Sequence, residues 1–181
     1  HGGTRSRHSV GMDPRRDPFR LSLASYPLSH AVIARFSDMD VNGHLNNVAL
    51  SSYYEDARVA VDLRVFPEAP GRRSFSLVVA QVSTQYLAEA PFPGTYTIGI
   101  GVSRLGTTSF THSAGLFLDS VCLGLSDAVI VHLVDGLPTP LPPHLRTMIE
   151  TVAFPAPGIS TPSPSGIEAT PDLDAPDARP R

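Results

Sequence analysis

The residues best suited to chemistry lie together in one short polar loop. Two carboxylates, Asp38 and Asp40, are followed by Gly43 and by a pair of asparagines that ends at Asn47. A helical pattern begins there, so the last amides of the loop 37–45 lie at a helix N-terminus, unpaired within the helix and partly positive. They would polarise a carbonyl group docked near Asn47, and Gly43 would permit its close approach. A carboxylate at Asp40 could fold back to the same point.

Each of these residues also has an ordinary structural interpretation. Asp40 is of a type that often closes an Asx turn or caps a helix, and Asp38 is expected to bond loop amides or an arginine. His44 is a candidate base, but an imidazole at a helix start is more typical of a hydrogen-bonded loop organiser. Asn46 and Asn47 are good capping residues. The residue types alone leave both interpretations open.

Hydrophobic periodicity predicts the elements that position this loop. Residues 28–36 are typical of a strand. Between His44 and Phe66 there is neither Gly nor Pro, and apolar residues recur every three to four positions, which predicts one helix of about 17 residues that Pro67 stops. The period then changes to two, which predicts four strands in hairpin succession, and a short helix is expected near 142–150. The four strand segments are 75–89, 95–103, 110–118 and 121–134. We therefore predict an α+β fold, with one antiparallel sheet packed against one helix.

The length of 181 residues fits one domain with a sizeable core. Residues 1–26 are polar and punctuated by Pro and Arg, which predicts a flexible arm, and its opening resembles a tag remnant before Met12. Pro, Ser, Thr, Ala and Asp dominate residues 154–181, which predicts a disordered tail. The folded domain is therefore expected at 27–153.

Composition argues against several classes of partner and cofactor. The net charge of -3 offers no basic surface for nucleic acid, and no apolar run approaches the roughly 20 residues of a membrane span. Cys122 is the only cysteine and no apolar leader is visible, so we expect a reducing, cytoplasmic location. The histidines lack the spacing of metal ligands, so we expect neither a metal nor another cofactor.

Three motifs occur in fixed order between Ala34 and Val61: D-x-D, then G-H-x-N-N, then Y-Y-E-x-A-R. In this order they resemble the opening of the 4-hydroxybenzoyl-CoA-type thioesterases of the hotdog superfamily, and the similarity extends over most of the predicted domain. The resemblance implies a hotdog fold, in which a long antiparallel sheet wraps around one central helix. It also implies hydrolysis of acyl-CoA to free acid and CoA.

The resemblance assigns roles to individual residues. In the family the second Asp of D-x-D acts as nucleophile or general base, and this position is Asp40. The amide near Asn47 would polarise the thioester carbonyl. Some hotdog thioesterases place the catalytic acid on the helix, which makes Glu55 a rival, although we favour a surface ion pair with Arg58. The expected substrate-binding residues are Gly43, His44, Asn46, Glu55, Arg104, Thr108 and Ser109.

Two departures from the family leave the substrate open. A Tyr is common at the position of Leu50, and the hairpin that holds CoA phosphates is often basic, whereas here only Arg104 is near it. An acyl-carrier-protein thioesterase and a non-catalytic acyl-CoA-binding hotdog protein therefore remain alternatives, while the motifs of hotdog dehydratases are absent. Because one hotdog unit exposes a sheet edge, we expect a homodimer or a dimer of dimers, with the site at the interface.

Overall fold

The computed structural model describes residue 15, residues 17–66 and 75–155, and the backbone of residues 166–167. Within these ranges, two α-helices accompany seven strands. The helices are α1 (Asn47–Val65) and α2 (Pro143–Glu150). The strands are β1 (Leu28–Ile33), β2 (Ser76–Tyr86), β3 (Thr95–Leu105), β4 (Ser109–Leu118), β5 (Val121–Val134), β6 (Leu137–Pro138) and β7 (Gly166–Ile167). Neither helix combines the length and the hydropathy needed to cross a bilayer.

Local sequence determines both ends of α1. Asn46 is the N-cap, and its side-chain oxygen accepts a hydrogen bond from the Ala49 amide at 2.8 Å. Gly43 has a φ of 80°, a conformation that favours glycine and turns the loop sharply towards the helix. At the other end the helix stops at Phe66, whose successor in the sequence is a proline. The single long helix is confirmed, with 19 residues.

The strands form one sheet in the order β2–β5–β4–β3–β1–β7, and β6 pairs with the end of β5. β1 and β7 pair in parallel, whereas β1 with β3, β3 with β4, β4 with β5 and β5 with β2 are antiparallel. The predicted α+β hotdog arrangement, a long antiparallel sheet wrapped around one helix, is confirmed.

The position of β2 differs from the predicted hairpin succession. β3, β4 and β5 follow one another as hairpins, but β2 pairs with β5 at the far edge of the sheet. Residues 87–94 carry the chain from β2 past the start of α1 to β3. Along this crossing segment the Leu45 amide bonds the Ala90 carbonyl at 2.8 Å, and the Ala34 amide bonds the Gly94 carbonyl at 3.0 Å. Its prolines favour an extended crossing over a tight hairpin turn.

The core lies between α1 and one face of the sheet. The helix contributes a mixture of small and aromatic side chains, and the central strands contribute every second residue, as their period of two predicts. The buried helix residues are Leu50, Tyr53, Tyr54, Ala57 and Val61, and the strand residues facing them include Tyr96, Ile98, Ile100, Phe110, Ala114 and Leu116.

The opposite face of the sheet is covered by residues 17–27, which we call the N-terminal strap. Tyr26 is 2% exposed and lies directly over glycines of β3 and β4. A Cβ added at Gly99 would approach the Tyr26 ring to 2.6 Å, and one at Gly115 would approach its hydroxyl to 2.6 Å. The ring of Phe154 packs on Tyr26 with centroids 5.3 Å apart. Only glycine at these sheet positions leaves room for the aromatic ring.

Polar contacts fasten the strap. Arg20 forms an ion pair with Asp127 of β5 at 3.0 Å, and Asp127 also accepts a hydrogen bond from Ser113. The Tyr26 hydroxyl donates to the Arg20 carbonyl at 2.7 Å. Burial raises the pKa of Tyr26 to about 12, so this hydroxyl remains protonated and able to donate.

The packed chain therefore starts before the predicted domain boundary at 27 and includes Phe154 beyond the boundary at 153. The backbone of residues 166–167, within the predicted tail, pairs with β1. Most of the predicted arm and tail lies outside the described residues.

Gly99→Ala should destabilise the protein by about 1–3 kcal/mol, because the new methyl group overlaps the Tyr26 ring. Urea unfolding followed by circular dichroism would measure the loss. The control is the same substitution in a Tyr26→Ala background, where the ring is absent and the penalty should largely disappear. Equal penalties in both backgrounds would contradict this account of the glycine.

Candidate active site

A cleft of about 320 Å³ opens at the start of α1. Loop 40–45, the first turn of α1 and the chain just after β2 form its walls. Its lining includes Asp40, His44, Asn47, Leu50, Tyr86 and Glu89. The structure thus brings together three residues singled out from the sequence, Asp40, His44 and Asn47, and adds Tyr86 and Glu89 from a distant part of the chain.

Asp40 is exposed in the cleft and is held by its own loop. One carboxylate oxygen accepts hydrogen bonds from the amides of Asn42 at 2.7 Å and His44 at 3.4 Å. The Asp40 amide in turn donates to the His44 carbonyl at 2.8 Å. Chiefly through the Asn42 amide, the pKa of Asp40 is lowered below its ordinary value, so the group is a carboxylate at neutral pH. Asp40 therefore closes an Asx turn and also presents its carboxylate to the cleft.

Asp38 connects the loop to α1 and is not part of the cleft lining. Its carboxylate accepts hydrogen bonds from the Tyr53 hydroxyl at 2.6 Å and from the Arg35 amide at 2.9 Å. The bond from Tyr53 is the main cause that lowers the pKa of Asp38. Burial, together with the Asp38 carboxylate, raises the pKa of Tyr53. Asp38 thus accepts a loop amide, as the sequence suggested, and its second partner is a tyrosine.

The first amides of α1 lie at the end of the helix that borders the cleft. The Asn46 cap occupies the Ala49 amide, and the Leu50 amide bonds the Asn46 carbonyl at 3.1 Å. The amides of Asn47 and Val48 precede these, at positions that neither the cap nor the helical ladder uses. They carry the partial positive charge of the helix N-terminus, the property required of donors to a developing oxyanion.

A pair of ionisable side chains also lies in the cleft. His44 Nε2 is 3.2 Å from Glu89 Oε2, and a β-bridge between His44 and Pro91 pairs the two segments nearby. Sequence reasoning missed Glu89, because a single glutamate in a Pro-rich connection carries no recognisable pattern. The sequence had placed Glu89 in a strand at 75–89, whereas β2 ends at Tyr86.

Glu55 lies outside the cleft. It forms an ion pair with Arg58 one turn along α1, as favoured from the sequence, but the pair is not on an exposed face as we expected. The side chain of Arg58 is only 10% exposed, whereas that of Glu55 is 53% exposed. The contact therefore neutralises a largely buried guanidinium.

Arg104, Thr108 and Ser109 also lie away from the cleft within one chain. They occupy the end of β3 and the turn into β4, where the Thr108 carbonyl accepts a hydrogen bond from the His132 amide at 2.9 Å. This turn is at the end of the sheet where β2 begins, whereas the cleft is at the end where β2 finishes at Tyr86. A single chain does not bring the predicted CoA-binding hairpin to the cleft.

Residues 34–149 match the sequence profile of the thioesterase-like superfamily, a match that covers more than half of the chain and the whole cleft. The chain belongs to this superfamily. A thioesterase from Thermus thermophilus, solved with coenzyme A and Zn, is 29% identical with a TM-score of 0.65, and the alignment covers 71% of this chain and 95% of that one. A thioesterase-superfamily protein from Jannaschia sp. CCS1 is 32% identical with a TM-score of 0.62, over 72% and 87% of the two chains.

The chain is also similar in sequence to the uncharacterised protein YsmA of Bacillus subtilis, with 27% identity over 94 residues. This match spans 52% of the present chain and 63% of the length of YsmA.

The loss of stability caused by Tyr53→Phe should depend on pH. Because the pKa of Asp38 is lowered in the folded protein, its bonds stabilise the fold above the unfolded pKa of about 3.9. That stabilisation is lost as the pH falls through the folded pKa. The variant should therefore melt below wild type at pH 7, and the gap should narrow below about pH 4.

Thermal melts from pH 2 to 8 would test this, with Tyr86→Phe as the control that removes a hydroxyl not bonded to Asp38. A gap for Tyr53→Phe that stays constant with pH would refute the assigned role of this hydrogen bond.

Proposed function

We propose that the protein is an acyl-CoA thioesterase that hydrolyses acyl-CoA to the free acid and CoA. The observation that carries the proposal is the cleft itself, which combines the ionised carboxylate of Asp40 with the first amides of α1. Thioester hydrolysis needs both a carboxylate near the carbonyl carbon and donors for the oxyanion. The superfamily membership supports the reaction class, and the CoA bound to the Thermus thermophilus thioesterase supports a CoA thioester as substrate.

In this mechanism the thioester carbonyl oxygen binds the amide of Asn47 or Val48, which makes the carbonyl carbon more electrophilic. Asp40 then either attacks that carbon or takes a proton from the attacking water. In both cases the C–S bond breaks, and its electron pair leaves on the sulfur of CoA. Leu50 and Tyr86 also line the cleft and would contact the acyl group.

We further propose that two chains pair through β2. This strand ends the sheet path, so one of its edges has no partner strand among the described residues. It exposes Val78, Val79, Val82 and Tyr86, each by 42–49%. An exposed apolar edge of this length favours association, and a second copy of β2 satisfies its backbone groups.

Antiparallel pairing of two β2 strands would also complete the site. It places the beginning of one β2 beside the end of the other, so the β3–β4 turn of one chain comes towards the cleft of its partner. Arg104, Thr108 and Ser109 would then reach the CoA portion of a substrate bound in the neighbouring chain. This arrangement reconciles the predicted binding residues with their distance from the cleft in a single chain.

A thioester of acyl carrier protein fits the same cleft and is the alternative substrate. A non-catalytic acyl-CoA-binding protein is the alternative function, because the amides alone would hold a thioester. Turnover distinguishes the two functions, since a binding protein releases no thiol.

Asp40→Asn should lower turnover of acyl-CoA by on the order of 10²–10⁴, because it removes the charge and basicity but keeps the shape. KM should change much less, since acyl and CoA contacts are made by other residues. Thiol release from short, long, branched and aromatic acyl-CoAs would measure this. Glu55→Gln is the matched carboxylate control and should stay within a few-fold of wild type. An inactive Glu55→Gln beside an active Asp40→Asn would place the catalytic carboxylate on α1 instead.

Val82→Lys should convert the proposed dimer to a monomer, because a lysine at the middle of the β2 edge opposes strand pairing. Light scattering coupled to size exclusion would report the mass, and thiol release should fall with it. Val121→Lys, at another exposed valine away from this edge, should leave the dimer intact. A wild-type monomer at micromolar concentration would refute the β2 interface.

A further inference from the structure

The proposed mechanism leaves one feature of the cleft unused, the contact between the His44 ring and the Glu89 carboxylate. His44 Nε2 and Glu89 Oε2 are 3.2 Å apart, and both residues line the same cleft as Asp40. His44 thus lies between two carboxylates: its amide bonds Asp40 at 3.4 Å and its ring contacts Glu89. A carboxylate bonded to one nitrogen of an imidazole orients the ring and stabilises its protonated form.

Backbone contacts on both sides hold this pair in place. The His44 carbonyl accepts the Asp40 amide at 2.8 Å, and the next residue, Leu45, donates its amide to the Ala90 carbonyl at 2.8 Å. The loop that carries His44 and the crossing segment that carries Glu89 are therefore bonded to each other beside the pair. Glu89 is exposed in a single chain, but it follows the end of β2, the edge at which we place the partner subunit.

A proton carrier of this kind would complement Asp40. The amides that hold its carboxylate lower the pKa of Asp40, so it is ionised at neutral pH and is a weaker base than an ordinary aspartate. Attack on carbon needs an ionised carboxylate, whereas removing a proton from water is favoured by a stronger base. An imidazole is the side chain that ordinarily gains and loses protons near neutral pH.

Taking the first of the two roles given for Asp40 above, that of nucleophile, we infer that His44 is its acid–base partner and that Glu89 is the positioning residue for His44. This inference rests on the proposed thioesterase function. In the first step an Asp40 oxygen attacks the thioester carbon, the C–S bond breaks, and the sulfur takes its electron pair and a proton from the His44 imidazolium. The products are the free thiol, an acyl–Asp40 anhydride and neutral His44.

In the second step water attacks the acyl carbon of the anhydride while His44 takes one of its protons. The C–O bond to Asp40 breaks and its electron pair returns to the carboxylate. The free acid leaves, and both Asp40 and the imidazolium are restored. The second step depends more on His44 than the first, because a thiolate leaves without help whereas water is a weak nucleophile.

Glu89→Gln should therefore slow the second step selectively. With the acyl-CoA that wild type turns over fastest, rapid mixing should show a burst of about one thiol per active site. Steady-state turnover should then be on the order of tenfold below wild type, less than the full effect of a proton-transfer group because His44 remains. Hydroxylamine attacks an anhydride without a base, so it should restore the steady-state rate and yield the acyl hydroxamate. Background reaction is measured with Asp40→Asn and subtracted.

Three variants serve as controls. His44→Gln should show the same burst and the same rescue, and Glu89→Gln with His44→Gln should be no slower than His44→Gln alone, since the two residues act as one unit. Glu150→Gln, an exposed glutamate of α2, should behave as wild type.

Each outcome decides a separate point. Glu89→Gln at the wild-type rate, or slowed without either a burst or a hydroxylamine effect, would overturn the inference; if Asp40→Asn is inactive in the same assays, the thioesterase proposal survives it. Full activity of Asp40→Asn would contradict the catalytic role of Asp40 in both proposals. A wild-type protein that releases no thiol from any acyl-CoA would overturn both.

Discussion

The junction at Asn46 fixes the geometry on which the rest of the site depends. Its side-chain oxygen caps the Ala49 amide, while its side-chain nitrogen and its own amide both bond the Asp38 carbonyl at 2.8 Å. These bonds set the direction in which α1 leaves the loop, and therefore the direction of the helix amides relative to Asp40. Because oxyanion donors act only when aimed at one point, a shift at this junction would displace them together.

The crossing segment extends this order to the sheet. It leaves β2 at one edge, bonds Leu45 through Ala90, and enters β3 near the other edge. The two walls of the cleft are thus hydrogen-bonded to each other, although they are far apart in sequence. The same path leaves β2 as an edge strand beside the cleft. One feature of the topology, the crossing segment, therefore both forms a wall of the cleft and leaves the apolar edge of β2 exposed.

Local signals were sufficient for the loop and the helix. Gly43, the Asn46 cap and the Pro after Phe66 each act on their immediate neighbours, so their effects can be predicted without the fold. The neighbour of β2 could not be predicted in this way. The valines of β2 predict a strand but not its position in the sheet, and its pairing with β5 depends on residues far away in the sequence. Glu89 was missed for the same reason, since only the crossing brings it to the loop.

The strap was also beyond local prediction, because Arg20 and Tyr26 contact strands that are far away in the sequence. Its fit has a consequence for how such a sequence changes over generations. The side-chain-free positions 99 and 115 are tolerable only while an aromatic ring fills the space above them, and the ring is tolerable only while they stay empty. Neither half can be exchanged first without a penalty. We therefore expect the two glycines and Tyr26 to be retained together. Once a larger residue occupies either glycine position, the strap can no longer pack its aromatic ring there.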